Sequence, residues 1–231
     1  MLYSIRMIDS ISSNEQFGRL GVAPHILTIL TKLGFVTPTP IQAQAILPAI
    51  EGKDIVGIAQ TGTGKTLAFA IPMIQRFAKS NGLGLVVVPT RELAIQIETV
   101  FQSVGQSLGI KTALLIGGAS ISAQMNALRR RPNVIICTPG RMNDHLNQKT
   151  LTLQNVSVLV LDEADHMFDM GFLPQITRML QLVPKERQTL LFSATMPSEI
   201  FALATHHMRA PVRIEIARAG TPAERVAQEF F

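Results

Sequence analysis

Short apolar segments alternate with longer amphipathic segments along most of the chain, and this alternation predicts the fold. Seven apolar segments have the length and composition of strands: Asp54–Ala59, Gly84–Val88, Thr112–Ile116, Asn133–Cys137, Val156–Leu161, Gln188–Phe192 and Val212–Ile216. Several are almost continuous runs of valine, isoleucine and leucine, which is typical of parallel strands covered on both faces. Amphipathic segments between them predict helices, including Lys65–Lys79, Arg91–Ser107 and Ser120–Arg130. The sequence therefore predicts an α/β fold of three layers, with helices on both faces of a mostly parallel sheet.

The composition is that of a folded domain without a membrane segment or a disulfide framework. Hydrophobic residues make up 47% of the 231 residues and charged residues 16%, which argues against a disordered chain. No apolar run approaches the roughly 20 residues of a membrane-spanning helix. The single cysteine, Cys137, has no partner for a disulfide or a zinc site, which favours a reducing compartment. We therefore expect a cytoplasmic protein.

The net charge of +5 favours an anionic partner such as nucleic acid, although this signal is weak on its own. The run Arg129-Arg130-Arg131 falls at the end of a predicted helix. We interpret it as a solvated helix end stabilised by the helix dipole, in preference to a nucleic-acid contact.

A glycine-rich segment, Ala59–Thr66, follows the first predicted strand and precedes a predicted helix. It matches the phosphate-binding pattern GxxxxGK[ST], except that alanine stands where the first glycine would be. Glycines allow backbone amides to turn toward phosphate oxygens, and the N-terminus of the following helix attracts the same anion. Lys65 can reach the β- and γ-phosphates of ATP, and the Thr66 hydroxyl can meet Mg²⁺. The alternative is an ordinary Gly/Thr-rich turn, which the flanking strand and helix disfavour.

The apolar segment Val156–Leu161 ends in four residues of which three are acidic, Asp162–Asp165. A buried strand delivers such residues to its carboxyl end, where α/β sheets bind ligands. Asp162 is placed to hold Mg²⁺ through water, and Glu163 is placed to orient or deprotonate the attacking water. The alternative is an acidic helix N-terminus without catalytic meaning. Together with the upstream phosphate loop, the pattern makes Lys65, Asp162 and Glu163 candidate catalytic residues.

Taken together, the motifs of the chain resemble those of the DEAD-box RNA helicase family. The resemblance rests on these segments: Gly34–Gln42 (Q motif), Ala59–Thr66 (motif I), Pro89–Leu93 (motif Ia), Gly117-Gly118 (GG motif), Thr138–Arg141 (motif Ib), Asp162–Asp165 (spelling DEAD) and Ser193–Thr195 (motif III). All occur in the family's order. The resemblance implies a RecA-like P-loop domain in which the strand Gln188–Phe192 lies between Asp54–Ala59 and Val156–Leu161.

The resemblance also implies ATP and Mg²⁺ as ligands. Gln42 would read the edge of the adenine with its amide, and Phe35 would pack against the adenine ring. Phe17, an isolated upstream aromatic, would support this pocket. For both phenylalanines the alternative is simple core packing. The expected contacts to the rest of the nucleotide come from Thr61, Gly62, Thr63, Gly64, Lys65 and Thr66.

RNA contacts are implied along one edge of the domain, to the sugar-phosphate backbone of one strand. The expected residues are Thr90, Arg91, Gly118, Thr138 and Arg141, joined by Asp169, Gly171 and Phe172. Backbone contacts carry no sequence code, so binding is expected to be largely independent of RNA sequence. Arg91 and Arg141 each begin a predicted helix after a strand, where amides and a guanidinium can meet a phosphate. A salt bridge to a nearby acid is the alternative for both arginines.

Motif III is expected to couple the carboxylate site to RNA binding. The resemblance implies that Ser193 and Thr195, at the end of the strand Gln188–Phe192, form a hydrogen bond with Asp165. Serine and threonine are ordinary residues at strand ends, so this role comes from the resemblance alone.

The chain is expected to have three parts: an N-terminal extension (1–16), the RecA-like domain (17–217), and a linker with the start of a second domain (218–231). The resemblance implies that this second RecA-like domain supplies arginines needed for turnover, so we expect a fragment of a longer protein, acting as a monomer. Two hypotheses remain open, the ATPase domain of an RNA helicase or a nucleotide- and RNA-binding module without turnover. A DNA helicase is disfavoured by the Q motif together with the DEAD spelling.

Overall fold

The computed structural model describes residues 13–217, which form a parallel sheet with helices on both faces. The strands are β1 (Ile55–Ile58), β2 (Leu83–Val87), β3 (Thr112–Leu115), β4 (Val134–Cys137), β5 (Val156–Leu161), β6 (Gln188–Ser193) and β7 (Val212–Glu215). The helices are α1 (Ser13–Arg19), α2 (Pro24–Lys32), α3 (Pro40–Ile50), α4 (Lys65–Phe77), α5 (Arg91–Gly105), α6 (Ile121–Arg129), α7 (Pro139–Asn147), α8 (Ala164–Asp169), α9 (Leu173–Leu182) and α10 (Ser198–His207). All seven predicted strands are confirmed, with ends that differ by at most one residue.

The seven strands lie in the order β3-β4-β2-β5-β6-β1-β7, and every neighbouring pair is parallel. The predicted position of β6 between β1 and β5 is therefore confirmed. The register pairs Val56 of β1 with Leu191 of β6, and Leu161 of β5 with the same Leu191. Strands β1 and β6 therefore end at the same level, where Ile58 pairs with Ser193, and β5 ends at the level of Leu191.

Each face of the sheet has its own hydrophobic core, because the strands are apolar on both sides. The core on the side of α1–α5 includes the aromatic side chains Phe69, Phe101 and Phe192, whose ring centroids are 6.4 Å (Phe69–Phe101) and 5.7 Å (Phe69–Phe192) apart. The core on the other side contains the methionines of α7, α8 and α9, namely Met142, Met167 and Met179. The three-layer fold is therefore the one that the strand composition predicts.

At the amino edge of the sheet, a buried carboxylate at the start of β1 joins this strand to β6 and to the segment that precedes β7. Asp54 accepts hydrogen bonds from the Thr189 amide (2.7 Å) and from the Arg209 amide (2.7 Å). Burial raises the pKa of Asp54, whereas these two amide bonds act to lower it. The contacts fix the relative heights of β1 and β6, whose opposite ends carry the candidate site.

The predicted domain boundaries fall at the limits of the described chain. Helix α1, Ser13–Arg19, spans the predicted boundary at Phe17. The first twelve residues of the predicted extension, and the predicted linker at 218–231, lie outside the described residues. Within residues 13–217, no helix is long and apolar enough to cross a membrane.

Side chains of α3 and β6 pack closely against Gly57 in β1, and a substitution at this position tests that packing. A Cβ at this position would lie 2.6 Å from Phe192 Cδ1 and 3.4 Å from Ile41 Cδ1. Because both neighbours are buried and strand β1 is central, we expect Gly57→Ala to lower the free energy of unfolding by about 1–3 kcal/mol through overpacking. Urea denaturation would measure the change.

The matched control is Gly140→Ala in the first turn of α7, where a Cβ would meet nothing within 4 Å. Alanine favours a helix over glycine, so this variant should be as stable as the wild type or slightly more stable. A Gly57→Ala protein as stable as the Gly140→Ala protein would contradict the packing described for β1.

Candidate nucleotide and RNA site

Except for the Q motif, which lies between α2 and α3, the loops that carry the motifs follow the carboxyl ends of parallel strands, so they meet along one edge of the sheet. The sheet order divides that edge into two halves. The phosphate loop, the acidic segment and motif III follow β1, β5 and β6, which are neighbours. The predicted RNA-contact segments after β2, β3 and β4 occupy the adjoining three strands.

The phosphate loop has the backbone geometry that its glycines permit. Gly62 and Gly64 have φ values of 84° and 91°, a left-handed conformation that residues with a Cβ rarely adopt. Helix α4 begins directly at Lys65, so its N-terminus faces the loop. The loop is anchored by the Ala59 amide, which donates to the Ser193 carbonyl (2.9 Å). The backbone thus forms a curved, positively polarised cradle.

Lys65 is buried and faces both the loop and the acidic segment. Its Nζ donates to the Ala59 carbonyl at 3.0 Å and lies 3.8 Å from Asp162 Oδ1. Burial raises the pKa of Asp162 to about 6, although the Lys65 ammonium acts to lower it. The two residues lie close enough for Lys65 to contact a phosphate while Asp162 holds a metal ion bound to that phosphate, which are their predicted roles.

A buried acid of this kind is suited to neutralisation by a cation. Within residues 13–217 no group of three His, Cys, Asp or Glu side chains could hold a metal on its own. A metal at this site would therefore need oxygens from the nucleotide and from water besides Asp162 and Thr66. This fits Mg²⁺, which commonly binds through one or two protein ligands plus phosphate.

Glu163 adopts a strained backbone conformation between β5 and α8. Its φ of 53° is left-handed, which costs about 1–3 kcal/mol for a non-glycine residue and is found mostly at functional sites. Its Oε1 accepts a hydrogen bond from the Thr61 hydroxyl at 2.8 Å, and its Oε2 lies 3.5 Å from His166 Nδ1. Sequence reasoning did not anticipate the Thr61 contact, because it joins residues 102 positions apart.

The predicted adenine residues occupy three different environments. Phe35 is 38% exposed, so its ring is available for stacking. Phe17 is 1% exposed and belongs to the core on the α1–α5 side, as the alternative of simple core packing predicts. Its ring could affect a bound base only through neighbouring residues.

Gln42 is buried and already holds two backbone groups. Its Nε2 donates to the Gly64 carbonyl (3.0 Å) and its Oε1 accepts from the Thr39 amide (3.0 Å). The amide retains one N–H and one lone pair for a further partner. Gln42 therefore joins the start of α3 to the phosphate loop, and the Thr-x-x-Gln spacing of a capping box is the sequence signal for its bond to Thr39.

Asp165 is bonded to motif III through both its side chain and its amide. Its Oδ2 accepts hydrogen bonds from the Thr195 amide (2.9 Å), the Thr195 hydroxyl (2.9 Å) and the Ala194 amide (3.2 Å). Its own amide donates to the Ser193 hydroxyl (3.2 Å). Burial acts to raise the pKa of Asp165, but the hydrogen bonds from Thr195 and Ser193 outweigh it and lower the pKa. The contact expected between motif III and the acidic segment is thus present.

In the adjoining half, Arg91 lies against the double glycine that follows β3. Thr90 caps α5, since its hydroxyl accepts from the Leu93 amide (3.2 Å). The Arg91 guanidinium fills the space in which a Cβ of Gly118 would lie, and a Cβ of Gly117 would be 3.2 Å from Arg91 Nη2. The structure therefore brings Thr90, Arg91 and Gly118 together, and the Arg91 side chain forms no salt bridge within the described residues.

The Arg141 guanidinium is engaged by groups of the protein itself. Its Nη1 donates to the Ala119 carbonyl (2.9 Å), and its Nε lies 3.4 Å from Asp144 Oδ2, so the salt-bridge alternative is realised in part. Thr138, at the start of α7, is buried at the same edge.

The three remaining RNA candidates lie at the end of α8 and directly after it. Asp169 and Gly171 are exposed, and Gly171 has a φ of 78°. Phe172 packs against the core on the α7–α10 side and is only half-buried. The arginine run ending at Arg131 lies exposed at the end of α6, at the opposite edge of the sheet from these residues, as expected for a solvated helix end.

Comparisons with known proteins point to one family. Residues 39–203 match the family described as DEAD/DEAH box helicase. The chain is 42% identical over 220 residues to an "ATP-dependent rRNA helicase rrp3" of Schizosaccharomyces pombe, covering 94% of this chain and 47% of that protein. It is 46% identical over 217 residues to a "DEAD-box ATP-dependent RNA helicase CshA" of Bacillus cereus, covering 93% of this chain and 41% of that protein.

A solved structure is similar over most of the described domain. The crystal structure of a DEAD box protein from Methanococcus jannaschii superposes with a TM-score of 0.83 at 40% identity, over 87% of this chain and 55% of that chain. The chain spans about half the length of the curated relatives that it matches.

The Asp165 contacts yield a prediction for stability. Asp165→Asn keeps the shape of the side chain but removes the charge that three donors share, so we expect the free energy of unfolding to fall by about 1–2 kcal/mol. Asp169→Asn, an exposed aspartate at the end of the same helix, is the matched control and should change little. Urea denaturation of both proteins would measure the difference. Equal stability of the two variants would show that the Asp165 bonds do not hold motif III.

Proposed function

The chain belongs to the DEAD/DEAH box helicase family, and we propose that it is the RecA-like ATP-binding domain of an ATP-dependent RNA helicase. The single observation that carries the proposal is the arrangement of three features along one sheet edge: the phosphate loop, the acidic segment, and the surface formed by Arg91, Gly117 and Gly118. Asp165, after β5, is bonded to motif III at the end of β6. Because the chain covers about half of its relatives, helicase activity is proposed for a longer protein that contains this domain.

ATP binding would use residues that the structure already holds in place. The amides of the phosphate loop, from Thr61 to Gly64, would surround the phosphates, and Lys65 would move from its partner Asp162 toward the β- and γ-phosphates. Mg²⁺, held by Thr66 and by Asp162 through water, would neutralise negative charge on the phosphate oxygens. The base would stack on the exposed ring of Phe35 and use the remaining hydrogen-bonding capacity of Gln42.

Glu163 is proposed as the residue that orients and deprotonates the attacking water. Its Oε1 is occupied by the Thr61 hydroxyl, whereas its Oε2 has only the longer contact of 3.5 Å to His166. A carboxylate oxygen with spare lone pairs can accept the proton of a water that it positions. The bond from Thr61 holds this side chain at the phosphate loop.

RNA would bind to the other half of the edge through backbone contacts. Arg91 and the amides near Gly118 offer a cation and unpaired donors to a phosphate, which supports binding without a sequence code. Thr138, Arg141, Asp169, Gly171 and Phe172 remain predicted contacts, and the inward bonds of Arg141 favour a role in shaping the loop at Ala119. Asp165, with Ser193 and Thr195, is proposed to transmit RNA occupancy to the carboxylates.

A second RecA-like domain is proposed to complete both sites. The transition state of phosphoryl transfer spreads negative charge over the γ-phosphoryl oxygens, and Lys65 with Mg²⁺ offsets it from one side only. The alternative function, a nucleotide- and RNA-binding module without turnover, applies to this chain on its own. A monomeric state and a cytoplasmic location remain predictions from the sequence.

The nucleotide site is expected to prefer adenine. The buried Gln42 amide rejects a base edge that cannot pair with it, because an unpaired buried polar group costs about 1–3 kcal/mol. Calorimetry with ADP and GDP should give at least tenfold tighter binding of ADP by the wild type, and Gln42→Ala should reduce this preference. Gln44→Ala, an exposed glutamine on the same helix, is the matched control. Equal affinities of the wild type for ADP and GDP would contradict the adenine pocket.

The isolated 231-residue chain is expected to hydrolyse ATP at close to the background rate, with or without RNA. An arginine supplied by a partner domain contributes roughly 10³–10⁵ in rate in related phosphoryl-transfer enzymes, and a single domain cannot close around RNA. Phosphate release at saturating ATP, with and without single-stranded RNA, would measure this. Strong stimulation by RNA would show that the chain completes its own site, alone or by self-association.

A further inference from the structure

In the loop that joins β3 to α6, two carbonyl oxygens accept hydrogen bonds from side chains, and the two glycine amides donate none within the described residues. The Ile116 carbonyl accepts from Gln124 Nε2 (2.9 Å), and the Ala119 carbonyl accepts from Arg141 Nη1 (2.9 Å). Within residues 13–217, neither the Gly117 amide nor the Gly118 amide donates a hydrogen bond. Because a peptide group is planar, holding the Ile116 carbonyl fixes the opposite direction of the Gly117 amide, and the bond to Ala119 holds the loop on the far side of Gly118.

Gln124 is itself held by a buried histidine of helix α7. Gln124 is 5% exposed and His145 is 0% exposed, and Gln124 Oε1 lies 3.1 Å from His145 Nε2. Because Gln124 Nε2 donates to Ile116, its Oε1 must face His145, and an amide oxygen can only accept. His145 Nε2 therefore carries the proton.

The other ring nitrogen of His145 closes the chain of hydrogen bonds. Its Nδ1 lies 2.7 Å from the Thr150 hydroxyl, which lies farther (3.2 Å) from its other acceptor, the His145 carbonyl, and donates to Nδ1 when the proton is on Nε2. Burial lowers the pKa of His145, and the nearby Arg141 acts in the same direction, so the ring is neutral at neutral pH. The order of bonds, Thr150 to His145 to Gln124 to Ile116, then has a single consistent direction.

We propose that Gln124 and His145 are positioning residues for RNA binding: the chain of bonds from Thr150 holds the Ile116 carbonyl so that the Gly117 amide, at the start of the turn that contains Gly118, faces the phosphate beside Arg91. This rests on the proposed function, because it concerns the RNA half of the edge. Neither residue touches RNA. Their effect is to orient the loop before RNA arrives, so that no binding energy is spent on ordering it.

The alternative is a polar network that only stabilises the fold. The two possibilities differ in what happens to the nucleotide site, which lies on β1, β5 and β6 and shares no member of this network. A purely structural network would alter both ligand affinities equally or neither. A positioning network would alter RNA affinity alone. A different side chain at position 145 that donates a hydrogen bond to Gln124, as His145 Nε2 does, would then restore RNA affinity.

The test measures two affinities on the same preparations of the 231-residue chain. Fluorescence anisotropy with a labelled single-stranded oligouridine at low salt gives RNA affinity, and calorimetry with ADP–Mg²⁺ gives nucleotide affinity. Gln124→Met and His145→Leu should weaken RNA binding by about 5- to 10-fold, the effect of one or two oriented hydrogen bonds, and leave ADP binding within twofold. His145→Gln, whose amide can donate as Nε2 does, should recover most of the loss.

Gln148→Met, the same exchange at the exposed end of α7, is the matched control and should bind RNA as the wild type does. Thr150→Val removes the hydroxyl that contacts both the ring and the carbonyl of His145 and leaves the bonds of Gln124 in place. If Gln124→Met does not fold, a two- to threefold loss of RNA affinity in Thr150→Val supports the proposal and unchanged affinity overturns it. The proposal is also overturned if the Gln124→Met protein binds RNA like the wild type, or if its affinity for ADP falls by the same factor as its affinity for RNA.

Arg91→Ala separates this inference from the proposed function. A loss of RNA affinity in Arg91→Ala, without a loss in Gln124→Met, leaves the RNA site in place and removes only the positioning role. A wild-type chain that binds no RNA at low salt removes both.

Discussion

The parallel direction of all seven strands is the constraint on which the rest of this structure depends. Parallel neighbours cannot be joined by tight turns, so each connection returns over a face of the sheet as a helix. The five inner strands are then buried on both sides along most of their length, and all seven strands end at the same edge. Residues as far apart in sequence as Thr61 and Glu163 meet there, with a hydrogen bond of 2.8 Å. The chemistry of the site follows from this convergence.

The order of the strands determines which chemical groups become neighbours. The strands of the proposed nucleotide site (β1, β5 and β6) and those of the predicted RNA contacts (β2, β3 and β4) meet where β5 pairs with β2. There the Asp162 amide donates to the Val87 carbonyl (3.1 Å). Three residues after Val87, Thr90 caps the helix that begins with Arg91. A direct hydrogen bond therefore joins the two halves of the edge. Asp165, in the loop after β5, also bonds to motif III. Such closeness gives a physical route by which occupancy of one half could bias the other.

Much of this arrangement could be predicted from the sequence, because it depends on local signals. Runs of valine, isoleucine and leucine gave the strands, and Gly62 and Gly64 marked the phosphate loop. The environments of individual side chains could not be predicted, since they depend on rotamers and on partners distant in sequence. Phe17 lies in the core, Arg141 is bonded to Ala119, and the network of Gln124 and His145 had no signal in any motif.

The most direct test of this account asks whether the two halves of the edge bind different ligands. Amide chemical shifts of the ¹⁵N-labelled chain would be followed during separate titrations with ADP–Mg²⁺ and with single-stranded oligouridine. The account predicts that ADP shifts the amides of Gly62, Gly64 and Lys65, and that oligouridine shifts those of Gly117 and Gly118. Oligouridine that shifts the phosphate-loop amides and leaves Gly117 and Gly118 unchanged would contradict the division of the edge.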